Sequence, residues 1–496
     1  MKKQDPARQL TRRTLFTYSL GGIGRDMAYS LYSTYLLSFI LYTKNLSDGQ
    51  FAAISVIMII CRIWDAVNDP MMGGIIENTH TKMGKFKPWI LIGVLSNSVI
   101  LVTLFSARLQ GWGFVVFFVF MYLLWDITFT MNDIGYWSML PSLTTDTKDR
   151  NLLTSLANLF AGLGSILSLA FIPLLTVGSM AIGGSTVTAY SAVAVIISAC
   201  FIGCQVMTVV GVQERGDTHA NEESVGFGKM VKIITGNDQL LWIALVMLLY
   251  NLGSAIITGL GTNYIYFQYG YNGSYVTLFV VVFGAASGII MALFPFLSSH
   301  LSRKALMRGS IAMILVGYFS IFAFSYISLN FYLLCAFGLV IGIGQAVFYM
   351  VITINITNTV EYNEWKTGSR NEGIIFSIRP FMAKMGSALQ QLVIMIVYLA
   401  LGVTQVTNSI SDAENAVSRG LMSEQAKLTE IAGILESVPS GTTTAMRVCM
   451  VFIPMALLTL AYITMRKKCT IDEKRYDEML EDIKNRNAGG GSTAGE

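Results

Sequence analysis

The chain has 496 residues, 53% of them hydrophobic and only 13% charged, with a formal net charge of +4 and a mean hydropathy of +0.58. That is too apolar for a soluble protein of this length, so an all-α, polytopic membrane protein is expected, embedded in the lipid bilayer and with no nucleic-acid partner.

In chain order, Met1 to Arg13 is a basic arm that leads into a long apolar run without a small-residue cleavage pattern, so the first helix is expected to stay in the membrane. Apolar runs of about 20 residues read as spans. Twelve occur, at 15–43, 50–77, 88–107, 113–140, 151–177, 187–211, 238–268, 273–298, 305–326, 330–358, 373–403 and 446–466. The connectors on one side hold 25 Lys and Arg, and those on the other hold only Lys44, Arg108, Arg419 and Lys427. That asymmetry predicts that both termini lie in the cytoplasm.

The expected domains are a cytoplasmic basic arm (1–14), a six-helix bundle (15–211), a cytoplasmic middle loop (212–237), a second six-helix bundle (238–466) and a cytoplasmic tail (467–496). Six spans plus six suggests two repeats with a midplane site between them. The long external loop 404–445 contains an amphipathic stretch, Ser423 to Ser437, with Leu428, Ile431, Ala432 and Leu435 on one face. It reads as a surface helix packed on the bundle, with a lid over the outer vestibule as the alternative. The end from Asn485 reads as a flexible linker.

The six cysteines form no metal-ligand pattern, and Cys200 and Cys204, one turn apart, read as packing residues. All three histidines, His80, His219 and His300, fall in connectors, which argues against a histidine proton relay. Inside the spans lie Asp26, Asp65, Asp69, Asp126 and Asp133 against Arg25, Arg62, Arg379 and Lys384. A surplus negative charge is unfavourable at low dielectric, so a proton or bound cation is expected to neutralise it.

Asp65 and Asp69 share a helix face at i,i+4, with Asn68 beside them and Thr130 on the fourth span. Carboxylate, amide and hydroxyl oxygens are the ligands hard cations choose, so this is a candidate sodium site. The alternatives are an ion pair between Asp65 and Arg62, and plain buried hydrogen bonds for Asn68 and Thr130. Asp26 and Asp133 can accept hydroxyl hydrogens from a polyol, and Trp137, one turn beyond Asp133, offers a flat face to a sugar ring. Packing is the alternative for Trp137.

Four motifs then carry a resemblance: Gly21-Gly-Ile-Gly-Arg-Asp26, Arg62-Ile-Trp-Asp-Ala-Val-Asn-Asp-Pro-Met-Met-Gly73 with Gly84-Lys-Phe-Lys-Pro-Trp89, Asp133-Ile-Gly-Tyr-Trp137, and Glu361-Tyr-Asn-Glu-Trp-Lys-Thr-Gly-Ser-Arg-Asn-Glu-Gly373. Up to about Gly402 the chain resembles the glycoside-pentoside-hexuronide cation symporters of the major facilitator superfamily, the family of the bacterial melibiose carrier. The resemblance implies the major facilitator fold of two six-helix bundles, alternating access, and symport of a small-molecule glycoside with a monovalent cation by a monomer. The coupling cation would be sodium, with proton or lithium as alternatives, and no other cofactor is implied. Asp65, Asn68, Asp69 and Thr130 match the family's cation site; Asp26, Asp133 and Trp137, with Arg25, match its sugar site. Lys384 matches a functionally important lysine, and the loops around Gly84 and Gly368 match cytoplasmic gating segments.

Three positions depart from the melibiose carrier: Asn158 stands where it has a sugar-contacting arginine, Tyr349 replaces another aromatic, and Arg379-Pro380 stands where it has uncharged polar residues. Asp126 is also extra. The resemblance thus implies retained coupling with an altered sugar pocket. Arg379 with Lys384 suits the carboxylate of a hexuronide, or Arg379 pairs with Asp126. A cation-coupled lysolipid carrier of the same fold is the rival transporter reading. A membrane enzyme is the rival of another class, unsupported by any serine-histidine pair, metal cluster or phosphate loop.

Overall fold

A computed structural model describes residues 10–144, 146–214, 233–369 and 371–490. The basic arm through residue 9, most of the middle loop with His219, Thr145, Arg370 of the fourth motif and the last six residues lie outside the described residues. Among the described residues, fifteen α-helices of three turns or more follow one another: α1 (Arg12–Thr43), α2 (Asp48–Glu77), α3 (Lys87–Ser106), α4 (Gly111–Leu143), α5 (Thr147–Thr176), α6 (Thr186–Gly211), α7 (Asp238–Tyr269), α8 (Gly273–His300), α9 (Arg303–Phe324), α10 (Phe331–Thr367), α11 (Glu372–Ala400), α12 (Val403–Ser418), α13 (Glu424–Glu436), α14 (Ser440–Lys468) and α15 (Glu473–Gly490). Ten of them, α3 to α11 and α14, are long and apolar enough to cross a membrane. At 32 and 30 residues, α1 and α2 also have the length of a span, matching the twelve runs read from the sequence.

Short polar residues set the helix starts. The side chains of Thr11, Asp146, Ser302, Asn330 and Ser423 each accept a backbone N–H of the first turn, and Ser47 forms a reciprocal capping box with Gln50. Exposed apolar side chains such as Val99, Phe120, Ile166, Val210 and Phe296 are what helices solvated by lipid present outward.

The chain forms two compact units. One comprises residues 1–220, 262–281 and 395–443; the other comprises 221–261, 282–394 and 444–496. In the first unit α1 packs on α5 and α6, α3 on α4 and α6, and α2 on α4. Gly24 permits the close approach of α1 to α6, because a Cβ there would lie 2.6 Å from the Cα of Phe201. In the second unit α9 packs on α10, and α15 on the end of α10.

Two connectors are more ordered than the sequence reading suggested. The loop after α11 is a pair of helices, α12 and α13, of which only the second was legible. It packs on the bundle as a surface element: α12 lies against α1 and α6. Asn408 donates to the carbonyl of Leu46 (2.8 Å) and accepts its N–H (2.9 Å), and Thr404 donates to Asp48 at 2.6 Å. Beneath this lies a fully buried ion pair, Lys427 with Glu414 at 3.4 Å. Glu414 also accepts the Thr186 N–H at 2.7 Å, and Lys427 donates to the Gly184 carbonyl at 2.6 Å. The tail, read as a flexible linker from Asn485, is helical as far as Gly490. Tyr476, Met479 and Ile471 anchor it on Tyr362 and Trp365, an apolar patch too sparse to stand out in so charged a segment.

Candidate functional site

The first unit gathers two polar clusters along α4. In the first, Asn68 donates to the Thr130 hydroxyl at 3.0 Å, and Thr130 donates to Asp69 at 3.3 Å. A helix spacing of i,i+4 brings Asp65 to the same side of α2. Asp65 is 7% exposed and its carboxylate lies 3.8 Å from the Arg62 guanidinium, one turn back. The ion pair weighed as an alternative is therefore present, at the long end of contact. The buried Asp126 of α4 also acts electrostatically on Arg62.

Carboxylate, amide and hydroxyl here form a chain of hydrogen bonds that a hard cation can replace by direct coordination. Among the described residues no group of three or more His, Cys, Asp or Glu gathers to hold a metal. The available donor set is thus mixed oxygen, which suits an alkali cation rather than a transition metal.

The second cluster is built around Arg25. Its guanidinium is 2.6 Å from Asp26 on the same helix and 3.1 Å from Asp133 on α4. It stacks over the rings of Tyr136 (4.9 Å) and Trp137 (4.8 Å). Arg25 is 4% exposed, whereas Asp26 and Asp133 keep 23% and 34% of their side-chain surface open. Both carboxylates therefore keep open surface from which to offer oxygens to a ligand, and the arginine fixes the tryptophan ring. Two reciprocal hydrogen bonds, Tyr18 hydroxyl to Tyr136 carbonyl (2.7 Å) and Tyr136 hydroxyl to Tyr18 carbonyl (2.8 Å), lock α1 to α4 beside the cluster.

Thr130 and Asp133 are three residues apart on α4, about 4.5 Å along its axis. One rigid helix thus carries a member of each cluster.

The other sequence-predicted residues stand elsewhere. Asn158 on α5 is exposed and donates to the carbonyl of Thr154, one turn back, at 2.9 Å. In the second unit, Arg379 donates to the hydroxyl of Tyr349 at 2.6 and 3.1 Å and stacks on its ring. Lys384, half-buried, lies further along α11.

The structure adds a residue that sequence reading passed over. Glu214 accepts the consecutive backbone N–H groups of Lys85 (2.6 Å), Phe86 (3.1 Å) and Lys87 (2.8 Å). Three N–H groups converging at the start of α3 form an anion nest. Gly84, with φ +110°, leaves room for it: a Cβ there would meet the Glu214 carboxylate at 2.3 Å. Since Glu214 lies some 130 residues from the loop it holds, only the fold reveals the pairing.

Residues 17–472 match the family described as MFS/sugar transport protein. The chain is 28% identical over 495 residues to a lactose permease of Lactobacillus helveticus, covering 96% of this chain and 72% of that protein. It is 31% identical over 410 residues to a raffinose carrier protein of Pediococcus pentosaceus, covering 78% of this chain and 62% of the carrier. An isoprimeverose transporter of Lactiplantibacillus pentosus is 26% identical, with 75% of this chain and 76% of that one covered. The chain thus spans less than two thirds of the raffinose carrier's length. Among solved structures, an inward-facing bacterial homologue of the human lysosomal transporter Spinster superposes with a TM-score of 0.60 at 12% identity, covering 92% of this chain and 97% of that one. A D-xylose-proton symporter gives 0.55 at 12% identity, covering 84% and 98%. These two likenesses concern the fold alone.

Proposed function

Because this chain belongs to the MFS/sugar transport family, among the glycoside-pentoside-hexuronide cation symporters of the major facilitator superfamily, we propose that it moves a glycoside across the bacterial plasma membrane together with a monovalent cation. It is a multi-pass membrane transporter and not an enzyme, as its relatives are permeases and carriers. The proposed cargo is a neutral glycoside or oligosaccharide. Relatives are named for lactose, raffinose and isoprimeverose, so these sugars are the first candidates. None of these names supports the lysolipid reading.

The observation that carries the proposal is charge placement. Within the interiors of α1 to α6 lie five carboxylates, Asp26, Asp65, Asp69, Asp126 and Asp133, against two guanidinium groups, Arg25 and Arg62. Arg25 serves the sugar cluster, and Arg62 faces Asp65 and Asp126. Asp65 and Asp69 bring two of these carboxylates to one face of α2 beside Asn68 and Thr130, an oxygen set that a cation or proton would meet. Sodium would be held by Asp65, Asn68, Asp69 and Thr130, with a proton or lithium as substitutes.

The sugar would meet Asp26, Asp133 and Trp137. Coupling would run through α4, since a cation that orders Thr130 stiffens the helix that positions Asp133. By reciprocity, sugar must then tighten cation binding by the same factor. Alternating access by the two six-helix halves, with both termini cytoplasmic, completes the scheme.

The test is cation-stimulated uptake in Asp65→Cys and Asp69→Cys variants. Stimulation is expected to vanish in both while the sugar still binds weakly. Undiminished stimulation in both would remove the cation site from these residues.

A further inference from the structure

In the second unit, α9, α10, the end of α14 and the segment leading into α15 line a cavity of about 450 Å³. Four cations line it: Arg303, Lys304 and Arg308 from the first turns of α9, and Arg466 from the last turns of α14. Two acids line it as well. Glu473 accepts the backbone N–H of Arg303 at 2.8 Å and lies 3.9 Å from its guanidinium; Asp472 lies 3.1 Å from Lys304. Arg308 and Arg466 form no ion pair among the described residues. The nearest polar partner of Arg308 is the Lys304 carbonyl at 3.3 Å. Two positive charges are therefore uncompensated around the cavity.

The remaining wall is largely apolar, with Met307, Val351, Met465 and Ile471 all buried and Asn355 and Tyr462 as its polar members. Cations at a rim and apolar side chains beneath them are the signature of an amphiphile's site rather than of an ion's. The volume agrees, because cavities for small organic ligands run from about 300 to 1,000 Å³, well beyond what a bare phosphate fills. The cavity also lies at the end of the helices that carry the lysine- and arginine-rich connectors, where a membrane presents anionic headgroups.

We propose that this cavity binds a phosphate group, carried by an anionic phospholipid whose glycerol and proximal chain rest on Met307, Val351, Met465 and Ile471. Arg308 and Arg466 hold the phosphate, while Asp472 and Glu473 keep Arg303 and Lys304 in place.

The test titrates three probes into the full chain in a neutral detergent: dihexanoyl phosphatidylglycerol, dihexanoyl phosphatidylcholine and inorganic phosphate, with binding followed by thermophoresis. Phosphatidylglycerol is expected to bind most tightly. Each basic residue at an anionic headgroup is worth roughly fivefold in affinity, so Arg308→Gln/Arg466→Gln should weaken binding roughly 25- to 30-fold. Arg308→Lys/Arg466→Lys should restore most of it. Both arginines are exposed, so the variants are expected to melt with the parent. Equal affinity for phosphatidylglycerol and phosphatidylcholine, or no loss in the glutamine variant, would overturn the site. Inorganic phosphate binding as tightly as phosphatidylglycerol would overturn the lipid as its source.

Discussion

Arg25→Gln is expected to weaken glycoside binding by roughly 100-fold or more, measured by equilibrium binding to purified protein. Arg25 bridges Asp26 and Asp133, at 2.6 and 3.1 Å, and is almost wholly buried. Removing a buried cation that bridges two partly open carboxylates costs less than the about 3–5 kcal/mol of a fully buried pair, but it strands both charges at once. Here two carboxylates lose their shared partner together and repel each other, so Asp133 no longer holds the position that a sugar hydroxyl would meet. Trp137 also loses the guanidinium that holds its ring. The double variant Arg25→Gln/Asp26→Asn removes one charge of each sign and should recover part of the binding. Unchanged affinity in the single variant would mean that the Arg25 cluster is a structural brace and the sugar lies elsewhere.

Lys427→Met is expected to destabilise the α12–α13 hairpin by about 3–5 kcal/mol. Lys427 and Glu414 are both fully buried. Without the lysine, Glu414 keeps only the Thr186 N–H on one oxygen. Replacing both partners, Glu414→Met with Lys427→Met, should restore most of the loss, since a buried pair exchanged for apolar groups is often neutral. Hydrogen exchange over residues 403–443 reads the difference directly. Burial pushes the Glu414 carboxyl up from its ordinary value, with Lys427 opposing. A carboxyl whose folded pKa is raised contributes stability that is complete below the ordinary range, about 4.3, and is lost as pH rises through the raised value. Protection of the hairpin in the parent chain should therefore increase on acidification, and more steeply in Lys427→Met. A single variant as protected as the parent would mean that the hairpin's surface hydrogen bonds, not the buried pair, hold it.

How much of this was legible in the sequence follows from the range of each interaction. The spans, the shared face of Asp65 and Asp69, and the Asp133–Trp137 turn are local patterns, and the structure places these residues on α2 and α4 as spaced. Asn68 meeting Thr130 needs two helices, but polar residues in apolar runs have few places to go, which is why they could be grouped beforehand. Arg25 could be read only as a basic residue before an aspartate. Its bridge to Asp133 spans 108 positions and depends on α1 packing against α4. Glu214 in the nest of the Gly84 loop was hidden for the same reason. The α12 helix was missed although Val403, Ile410 and Ala413 recur at helical spacing and are buried: its few, small apolar residues are diluted by Thr, Ser and Asn, and its partners on α1, α6 and the Leu46 connector are remote in sequence.

Cation-driven sugar symport is tested most directly by reconstituting the purified chain in sealed vesicles, imposing an inward sodium or proton gradient, and following radiolabelled lactose, raffinose and isoprimeverose. At least one sugar is predicted to accumulate unchanged above its external concentration, and to leak back to equality when the gradient is collapsed. Equilibration without accumulation under both gradients, or recovery of the sugar as a new chemical species, would contradict it.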